Sequence, residues 1–558
     1  MLVDARSLAR GERIECDICV VGSGPAGLTL AHALERSSVK VCVVESGGLT
    51  VEPEAQSLNE GEVEGDAYTR LDESRRRQLG GTANTWQQGL RGIPHGVRFV
   101  PLDPLDFEHR DWLPHSGWPF GRTELDPYYE RAHAVLGLGD FDYGAETHAS
   151  AQAPLLELGS AISTGMFQFG PRTVFTGTMA GALARSTRHV VLLHATVGEI
   201  QLGESSGRVR TLDAFASDGK PFTIEARFFV LAAGGIENAR LLLLSRRSRP
   251  RGIGNEHDLV GRFFMDHPLL RGGMIVPRGR NLIPRMALYD QRDDDRTSAM
   301  GYLELAPEVR RRERLLHMTW LLFPRPSPRR AAAVRAFREL RESRTADPRR
   351  VIPRAARAVA GSDFLVPALY RRLRTGRPLL SHVDWGGWST ERGMERRYTT
   401  IDVIHQTEQA PDAENRILLG DARDRLGLSR PILRWRWNRV DIDSALRSQD
   451  LFAQAVAAAD VADVAPERRG GEPVLELPGT HHHLGTTRMH ADPKLGVVDQ
   501  HGLVHGTNNL YVTGGSVFPT GGFANPTLTI VALALRLADH LNRQPRPGVT
   551  ESKNPMGS

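Results

Sequence analysis

The sequence predicts an α/β fold. Its central part is a Rossmann-like domain that binds a dinucleotide, and this domain is joined to an α+β domain with a mixed or antiparallel sheet. Two observations carry this prediction. Near the start of the chain, residues 16–45 combine two apolar runs with a glycine-rich turn. Near the end, residues 479–527 contain a second group of glycine turns beside histidines and an asparagine. We therefore expect segments from both ends of the chain to form one site.

The first glycine-rich segment has the order strand, turn, helix, strand, acid that is typical of a dinucleotide-binding unit. Residues 16–21 and 39–44 are apolar runs rich in β-branched residues, as buried parallel strands require. Residues 25–36 carry apolar side chains at helical spacing. The glycines of the turn are Gly22, Gly24 and Gly27.

Each residue of this pattern has a physical role in holding a dinucleotide. Gly22 permits the tight turn, Gly24 leaves room for the pyrophosphate, and Gly27 lets helix and strand pack closely. The helix N-terminus presents free N–H groups and a partial positive charge to the phosphates. Glu45 is placed to accept hydrogen bonds from the ribose hydroxyls. This acid argues against NADP and leaves NAD and FAD open.

Composition and the cysteine positions indicate in which cellular compartment the protein works. No run reaches the roughly 18 apolar residues of a transmembrane helix. The first fifteen residues show no apolar stretch of a secretory signal. The cysteines are Cys16, Cys19 and Cys42, all in or beside the first predicted strands. Residues three apart on a strand point to opposite faces, so we interpret Cys16 and Cys19 as buried structural residues. We expect a cytoplasmic protein.

The positive charge of the chain is carried almost entirely by arginine. The net charge is +5, and lysine occurs only at Lys40, Lys220, Lys494 and Lys553. No nucleic-acid-binding motif accompanies this charge, so we expect no nucleic-acid partner. Arginines are densest in residues 307–377, which we interpret as solvated helix faces of a helical insertion or of a mobile lid. Docking to a membrane surface or to an acidic electron-transfer partner is the alternative interpretation of this region.

Several segments resemble the glucose–methanol–choline (GMC) family of flavoprotein oxidoreductases. They occur in the family's order along nearly the whole chain: the turn at 22–27, then residues 77–86, 229–240, 260–268 and 479–541. Gly514-Gly515 and the segment 522–527 are most similar to the pyranose-oxidase branch.

The resemblance implies a discontinuous FAD-binding domain and a substrate-binding domain. The FAD-binding domain is expected to comprise residues 1–95, 190–270 and 470–545. The α+β substrate-binding domain is expected to comprise 96–189 and 271–469, and the tail 546–558 to be disordered. Apolar runs predict further strands at 190–193, 227–232, 416–419, 432–437 and 510–513.

The resemblance also implies the residues of the site. His482 corresponds to the family's catalytic base, and Asn525 to the second polar residue that binds the substrate oxygen. Hydride transfer to flavin N5 would follow, and the electrons would pass to oxygen or another acceptor. The implied cofactor-binding residues beyond the first turn and Glu45 are Gly80, Gly81, Asn84, Ala233, Gly515 and Asn525.

Three further details follow from the motifs. Thr85 occupies the position at which some members of the family carry a flavin-linked histidine, so we expect non-covalent FAD. A metal site at His481–His483 is not expected, because adjacent residues of an extended chain do not converge on one ion. The role of His483 stays open, and His267 is interpreted as structural.

The predicted function is oxidation of an alcohol group by an FAD-dependent oxidase or dehydrogenase. A small-molecule sugar or glycoside is the expected substrate. A non-sugar alcohol, or the hydroxyl of a natural-product glycoside or aminoglycoside in a biosynthetic pathway, is the alternative. A basic, flavin-free binding protein on a degenerate Rossmann scaffold is the competing class, and the intact turn together with Glu45, His482 and Asn525 counts against it.

Overall fold

The computed structural model describes residues 1–86, 88–90, 93–203, 207–293, 298–343, 347–376, 378–383, 385–390 and 393–544. Two large sheets and a small one organise these residues. The fold class is confirmed, because a Rossmann-like parallel sheet is joined to a separate antiparallel sheet with associated helices. The predicted tail 546–558 lies outside the described residues.

The first sheet is assembled from segments that are far apart in sequence. Its parallel strands bring the N-terminal turn, the middle of the chain and the C-terminal segment side by side. Within the described residues, the strands in spatial order are Leu2–Asp4, Val190–Leu193, Val41–Val44, Arg13–Val21, Pro221–Leu231, Val209–Ala216 and Ala195–Leu202. Strand Leu510–Val512 pairs in parallel with the second half of Pro221–Leu231, whereas the last two strands in this order form antiparallel pairs.

The second sheet is antiparallel and contains much of the middle of the chain. Its strands in order are Arg468–Arg469, Glu472–Leu477, Leu269–Pro277, Tyr398–Gln406, Thr319–Pro326, Ser298–Leu305, Ile162–Pro171, Ile93–Phe99 and Gln88–Leu90. Arg292–Asp293 and Ala462–Ala465 pair at its sides. A small third sheet consists of Arg416–Arg423, Ser429–Trp435 and Glu62–Gly65.

Helices cover the sheets and connect them. The described α-helices are Pro25–Ala33, Pro53–Gln56, Pro104–Phe107, Asp126–Leu136, Ala145–His148, Ala180–Arg185, Gly234–Leu244, Leu282–Arg285, Pro307–Glu313, Pro328–Glu342, Pro348–Ala360, Ser362–Thr375, Met394–Arg397, Arg439–Ala458 and Thr527–Arg543. Residues of Pro25–Ala33, Gly234–Leu244 and Thr527–Arg543 belong to the same buried cluster as the parallel strands. Within the described residues, no helix combines the length and the apolar character needed to cross a membrane.

The predicted elements near the site lie close to the observed ones. The strand expected at 16–21 extends over Arg13–Val21, and the helix expected at 25–36 ends at Ala33. The strand expected at 227–232 belongs to the longer strand Pro221–Leu231. The first half of this long strand alternates polar and apolar residues, so the continuous apolar run marks only its buried end. The boundaries of the two domains stay a prediction.

Candidate active site

The carboxyl ends of the central parallel strands open onto a cavity of about 230 Å³. Several separate parts of the chain form its wall, including residues 21–26, 44–46, 232–237, 481–483 and 514–515. Ligands of open α/β sheets bind at this edge, because the strand ends and helix starts leave a crevice there. The two glycine-rich ends of the chain therefore meet in one cavity.

The glycine turn fits a closely bound pyrophosphate. Gly22 has φ +104°, and a Cβ atom there would lie 2.7 Å from the carbonyl oxygen of Ala232. A Cβ atom on Gly27 would lie 2.0 Å from the carbonyl oxygen of Gly22, so this glycine allows helix and strand to touch. Gly24 has no atom within 4 Å of its Cβ position and lines the cavity, which leaves its backbone open to a ligand.

Three helices begin at this cavity. Residues lining it include Pro25, Gly234 and Thr527, which are the first residues of Pro25–Ala33, Gly234–Leu244 and Thr527–Arg543. Helix N-termini carry unpaired N–H groups and a partial positive charge. The cavity therefore suits an anionic group such as a pyrophosphate.

Glu45 lies in the cavity wall, and neighbouring groups hold its carboxylate in place by hydrogen bonds. Its carboxylate accepts hydrogen bonds from the Ser23 hydroxyl at 2.5 Å and the Gly47 N–H at 2.9 Å. Burial raises the pKa of Glu45, against the opposing effect of these hydrogen bonds. Because each carboxylate oxygen accepts more than one hydrogen bond, the group can still receive a ribose hydroxyl.

The loop at residues 80–86 packs against the glycine turn at residues 22–27. A Cβ atom on Gly81 would lie 3.0 Å from the Cα atom of Gly24, and Gly81 lines the cavity. Gly80 and Asn84 are not in the cavity wall; Asn84 donates to the carbonyl oxygens of Leu79 and Gly81 and so holds the loop's shape. Thr85 donates to the carbonyl oxygen of Thr82 within the same loop.

Sequence reasoning missed another part of the wall. It is largely apolar and suits a flat aromatic ring such as adenine; its residues include Ala195, Val197, Leu241, Leu244 and Leu428. These side chains come from three distant elements that meet only in the folded chain, so no local pattern marks them. The predicted cofactor residues Ala233 and Gly515 do line the cavity.

His482 lies at the cavity between two groups of polar side chains. Its Nδ1 atom is 2.9 Å from Nδ1 of His267 and 2.7 Å from Oγ1 of Thr480. Its Nε2 atom is 3.3 Å from Nδ2 of Asn525. The two predicted catalytic residues are therefore neighbours, and His267, interpreted from sequence as structural, contacts one of them.

A chain of amides determines which histidine nitrogen accepts a hydrogen bond. Gln406 donates from Nε2 to the carbonyl oxygen of Phe523 at 2.7 Å, and the same nitrogen is 3.4 Å from Oδ1 of Asn525. This directs Nδ2 of Asn525 toward His482. An amide nitrogen only donates, so Nε2 of His482 accepts and its Nδ1 carries the proton.

Asp266 fixes the segment that carries His482, a role that sequence reasoning missed. Its carboxylate accepts the backbone N–H groups of Thr480, His481 and His482 at 3.0 to 3.1 Å. It also accepts the hydroxyl of Tyr68. Burial acts to raise the pKa of Asp266, but the neighbouring imidazoles and the Tyr68 hydroxyl outweigh it and lower the pKa. The ionised carboxylate thus holds this turn of the chain.

Burial favours the neutral form of His482, His267 and His483. Burial, followed by the neighbouring His267 ring, holds the pKa of His482 well below its usual value. Burial likewise lowers the pKa of His267, and it lowers that of His483 to about 3. A neutral imidazole has a lone pair with which to accept a proton, so His482 is in the form that a general base needs.

Comparison with known proteins agrees with this geometry. Residues 411–534 match the family described as GMC oxidoreductase, and residues 15–72 match an FAD binding domain. The chain is 25% identical to paromamine 6'-oxidase of Streptomyces fradiae, over 94% of this chain and 90% of that protein. It is 22% identical to the fructose dehydrogenase large subunit of Gluconobacter japonicus, over 95% of this chain and 98% of that protein.

A solved structure supports the fold. Pyridoxine 4-oxidase superimposes with a TM-score of 0.51 at 15% identity, over 95% of this chain and 100% of that chain. Relatives also include pyranose 2-oxidases, whose matches cover 26% and 12% of this chain. The family matches at both ends of the chain point to a flavin-binding oxidoreductase. The glycine turn at residues 22–27 and the whole-chain relatives point to the same class of protein. This protein is therefore similar to GMC oxidoreductases over nearly its whole length, and it is an FAD-dependent oxidoreductase that acts on CH–OH groups.

Proposed function

We propose that this protein oxidises a hydroxyl group of a sugar or glycoside to the carbonyl, with His482 as the base. The observation that carries the proposal is the pair formed by Nε2 of His482 and Nδ2 of Asn525, 3.3 Å apart beside the cavity. Bound FAD supplies a hydride acceptor for the alcohol carbon. The residues of this chain must then bind the hydroxyl and take its proton.

His482 and Asn525 divide these two tasks. The lone pair on Nε2 of His482 accepts the hydroxyl proton, while the Nδ2–H of Asn525 donates to the same oxygen. A donor aimed at an oxygen that gains negative charge stabilises the transition state more than the bound alcohol. Because His482 is neutral, no prior loss of a proton is required.

The cofactor contacts are proposed on the same geometry. Glu45 would accept from the ribose hydroxyls, and the backbone at Gly24 and Gly81 would face the phosphates or the flavin. Ala233 and Gly515 would contribute backbone surface. Thr85, which cannot form a histidine link to the flavin, favours non-covalent binding.

Relatives support the substrate class. One whole-chain relative is named for paromamine and another for fructose, and both compounds carry several sugar hydroxyls. The paromamine relative gives specific support to the second candidate, a hydroxyl on an aminoglycoside or another natural-product glycoside. The electron acceptor is oxygen or another oxidant.

Anaerobic rapid mixing tests the proposal. The FAD-loaded protein is mixed with a panel of sugars, aminoglycosides and simple alcohols while the visible absorbance of the flavin is followed. Bleaching by a sugar or aminoglycoside is the expected result, and the speed of recolouring in air separates an oxidase from a dehydrogenase. Bleaching by simple alcohols alone would contradict the substrate class.

Two variants test the base. His482→Ala should retain FAD and slow flavin reduction by about 10²–10⁴-fold, the contribution typical of a general base. His481→Asn is the matched control: it alters the neighbouring histidine, and Asn tolerates its φ of +63°. Equal reduction rates in the parent and His482→Ala proteins would exclude His482 as the base.

A further inference from the structure

The arginine-rich region contains three consecutive helices that we call the first, second and third helix. They are Pro328–Glu342, Pro348–Ala360 and Ser362–Thr375. The first and third helices contain buried residues, and the half-buried Ala358 of the second packs against the same core. Val334 of the first helix and Phe364, Leu365 and Ala368 of the third are buried in the core around the antiparallel sheet. These helices are therefore part of the folded body.

An apolar stripe remains on the outside of the second and third helices. Its members and their exposed fractions are Ile352 65%, Val359 71%, Val366 60%, Tyr370 61% and Leu373 86%. Spacings of seven residues within the second helix, and of four and then three within the third, place the stripe on one face of each helix.

This stripe is not the ordinary scatter of exposed apolar residues. Single exposed apolar side chains need no explanation, whereas contiguous ones mark an interaction site. The core positions of the third helix are already filled by Phe364, Leu365 and Ala368. The stripe is therefore additional to the apolar surface that folding uses.

The charge around the stripe is strongly positive. Residues 348–375 contain seven arginines and one aspartate, and no lysine or glutamate. The aspartate, Asp363, is paired with Arg329 and Arg330 of the first helix. Within the part of the chain that the structure describes, Arg349, Arg357 and Arg372 form no ion pair with another described residue. This face therefore presents both apolar and cationic groups.

We propose that the second and third helices dock on an anionic phospholipid surface. The stripe would enter the boundary between headgroups and acyl chains, and the arginines beside it would contact lipid phosphates. Helices with an apolar face and a basic polar face bind lipid surfaces in this way. Each basic residue near such a surface adds to the attraction.

Charge complementarity favours lipid over a second copy of the chain. A twofold dimer through this face would bring the same arginines of both copies together, and like charges oppose such contact. An anionic bilayer instead offers phosphates and an apolar interior to the same face. The association is peripheral, since no described helix crosses a membrane.

Vesicle flotation of the full-length, FAD-loaded protein tests the proposal. Vesicles of pure phosphatidylcholine are compared with vesicles that contain phosphatidylglycerol. We expect binding to the anionic vesicles, weakened by high salt because exposed charges are screened. Failure to bind anionic vesicles at low salt would overturn the proposal, and so would equal binding to both vesicle types.

Paired variants separate the stripe from general charge. Val359→Ser with Leu373→Ser should lower the binding constant for anionic vesicles by at least about tenfold, because two apolar side chains are removed from the interface. Val51→Ser with Leu495→Ser is the control, since these residues are 49% and 43% exposed outside the arginine-rich region. Equal losses in both pairs would refute a role for the stripe.

Arginine variants and oligomeric state complete the test. Arg349→Gln with Arg357→Gln should weaken binding and reduce its salt dependence, whereas Arg247→Gln with Arg439→Gln, which lie outside the region, should not. Sedimentation of the same samples without vesicles measures self-association. Self-association that the Val359→Ser and Leu373→Ser pair abolishes, without vesicle binding by the parent, would identify a second copy as the occupant and overturn the proposal.

Discussion

His267 and His482 face each other through their Nδ1 atoms, which lie 2.9 Å apart. Only one of the two nitrogens can carry the proton of this contact when both rings are neutral. The amide of Asn525 donates to Nε2 of His482, so Nδ1 of His482 carries the proton, and Nδ1 of His267 and Oγ1 of Thr480 share it as acceptors. The contact thereby keeps the lone pair of His482 on the nitrogen beside Asn525.

Replacement of His267 should slow the reaction through His482. His267→Phe keeps a ring of similar size but removes the acceptor, and we expect flavin reduction to slow by about 10–100-fold, by analogy with residues that orient metal-bound imidazoles. His267→Gln retains an acceptor and should recover part of the rate. Both should bind FAD as the parent does. A parental rate in His267→Phe would show that the contact does not orient the base.

The pH dependence of flavin reduction should lack an inflection near the ordinary pKa of histidine. The pKa of His482 is well below its usual value, so the neutral base persists as the pH falls through about 6.5. Activity should fall only at lower pH, where the imidazole finally takes up a proton. Measurement of the reduction rate against pH checks this. A reduction rate that halves near pH 6.5 because His482 becomes protonated there would contradict this prediction.

Glu45 should control FAD binding and not the chemical step. Glu45→Arg places a cation among Ser23, Gly47 and the ribose position, and we expect the purified protein to lose most of its flavin. Glu45→Gln keeps the size and one acceptor oxygen, so it should lose less. The ratio of flavin to protein absorbance measures both. A fully loaded Glu45→Arg protein would remove Glu45 from the ribose contact.

The buried pair of Arg110 and Glu408 should contribute strongly to stability. Two hydrogen bonds of 2.5 and 2.9 Å join them, and both side chains are almost fully buried. Arg110→Ala leaves a buried carboxylate unpaired, which costs about 3–5 kcal/mol of the free energy of unfolding. The melting temperature should fall clearly, whereas Arg439→Ala, from an exposed pair with Asp443, should leave it almost unchanged. Similar melting temperatures for both variants would contradict the prediction.

The sequence predicts the glycine turn at residues 22–27 well because the pattern that marks it lies within a short stretch of the chain. Gly27 is required by its contact with Gly22 inside one strand–turn–helix unit, and Gly22 is favoured by its positive φ in the turn, whereas the contact of Gly22 with Ala232 comes from a distant strand. His482 and Asn525 were identified through resemblance to the family, and the structure brings them together. Their catalytic and binding roles stay predictions.

Other parts of the site could not be predicted because they depend on distant contacts. Asp266 and His267 lie more than two hundred residues before His482, and only the fold brings them to its backbone and ring. Gln406 reaches Asn525 from the antiparallel sheet. No periodicity or spacing reports such contacts, since each is set by how the two sheets pack.

The position of strand Leu510–Val512 has a consequence for synthesis of the chain. It pairs with Phe229–Leu231, which leaves the ribosome almost three hundred residues earlier. At about 5–20 residues per second, that strand waits for its partner for tens of seconds with an apolar edge unpaired. The nascent chain also lacks residues 514–515 and Thr527 of the cavity wall during this time. The flavin site is therefore completed only after these residues have been synthesised, and the waiting strand edge is where a chaperone would be needed.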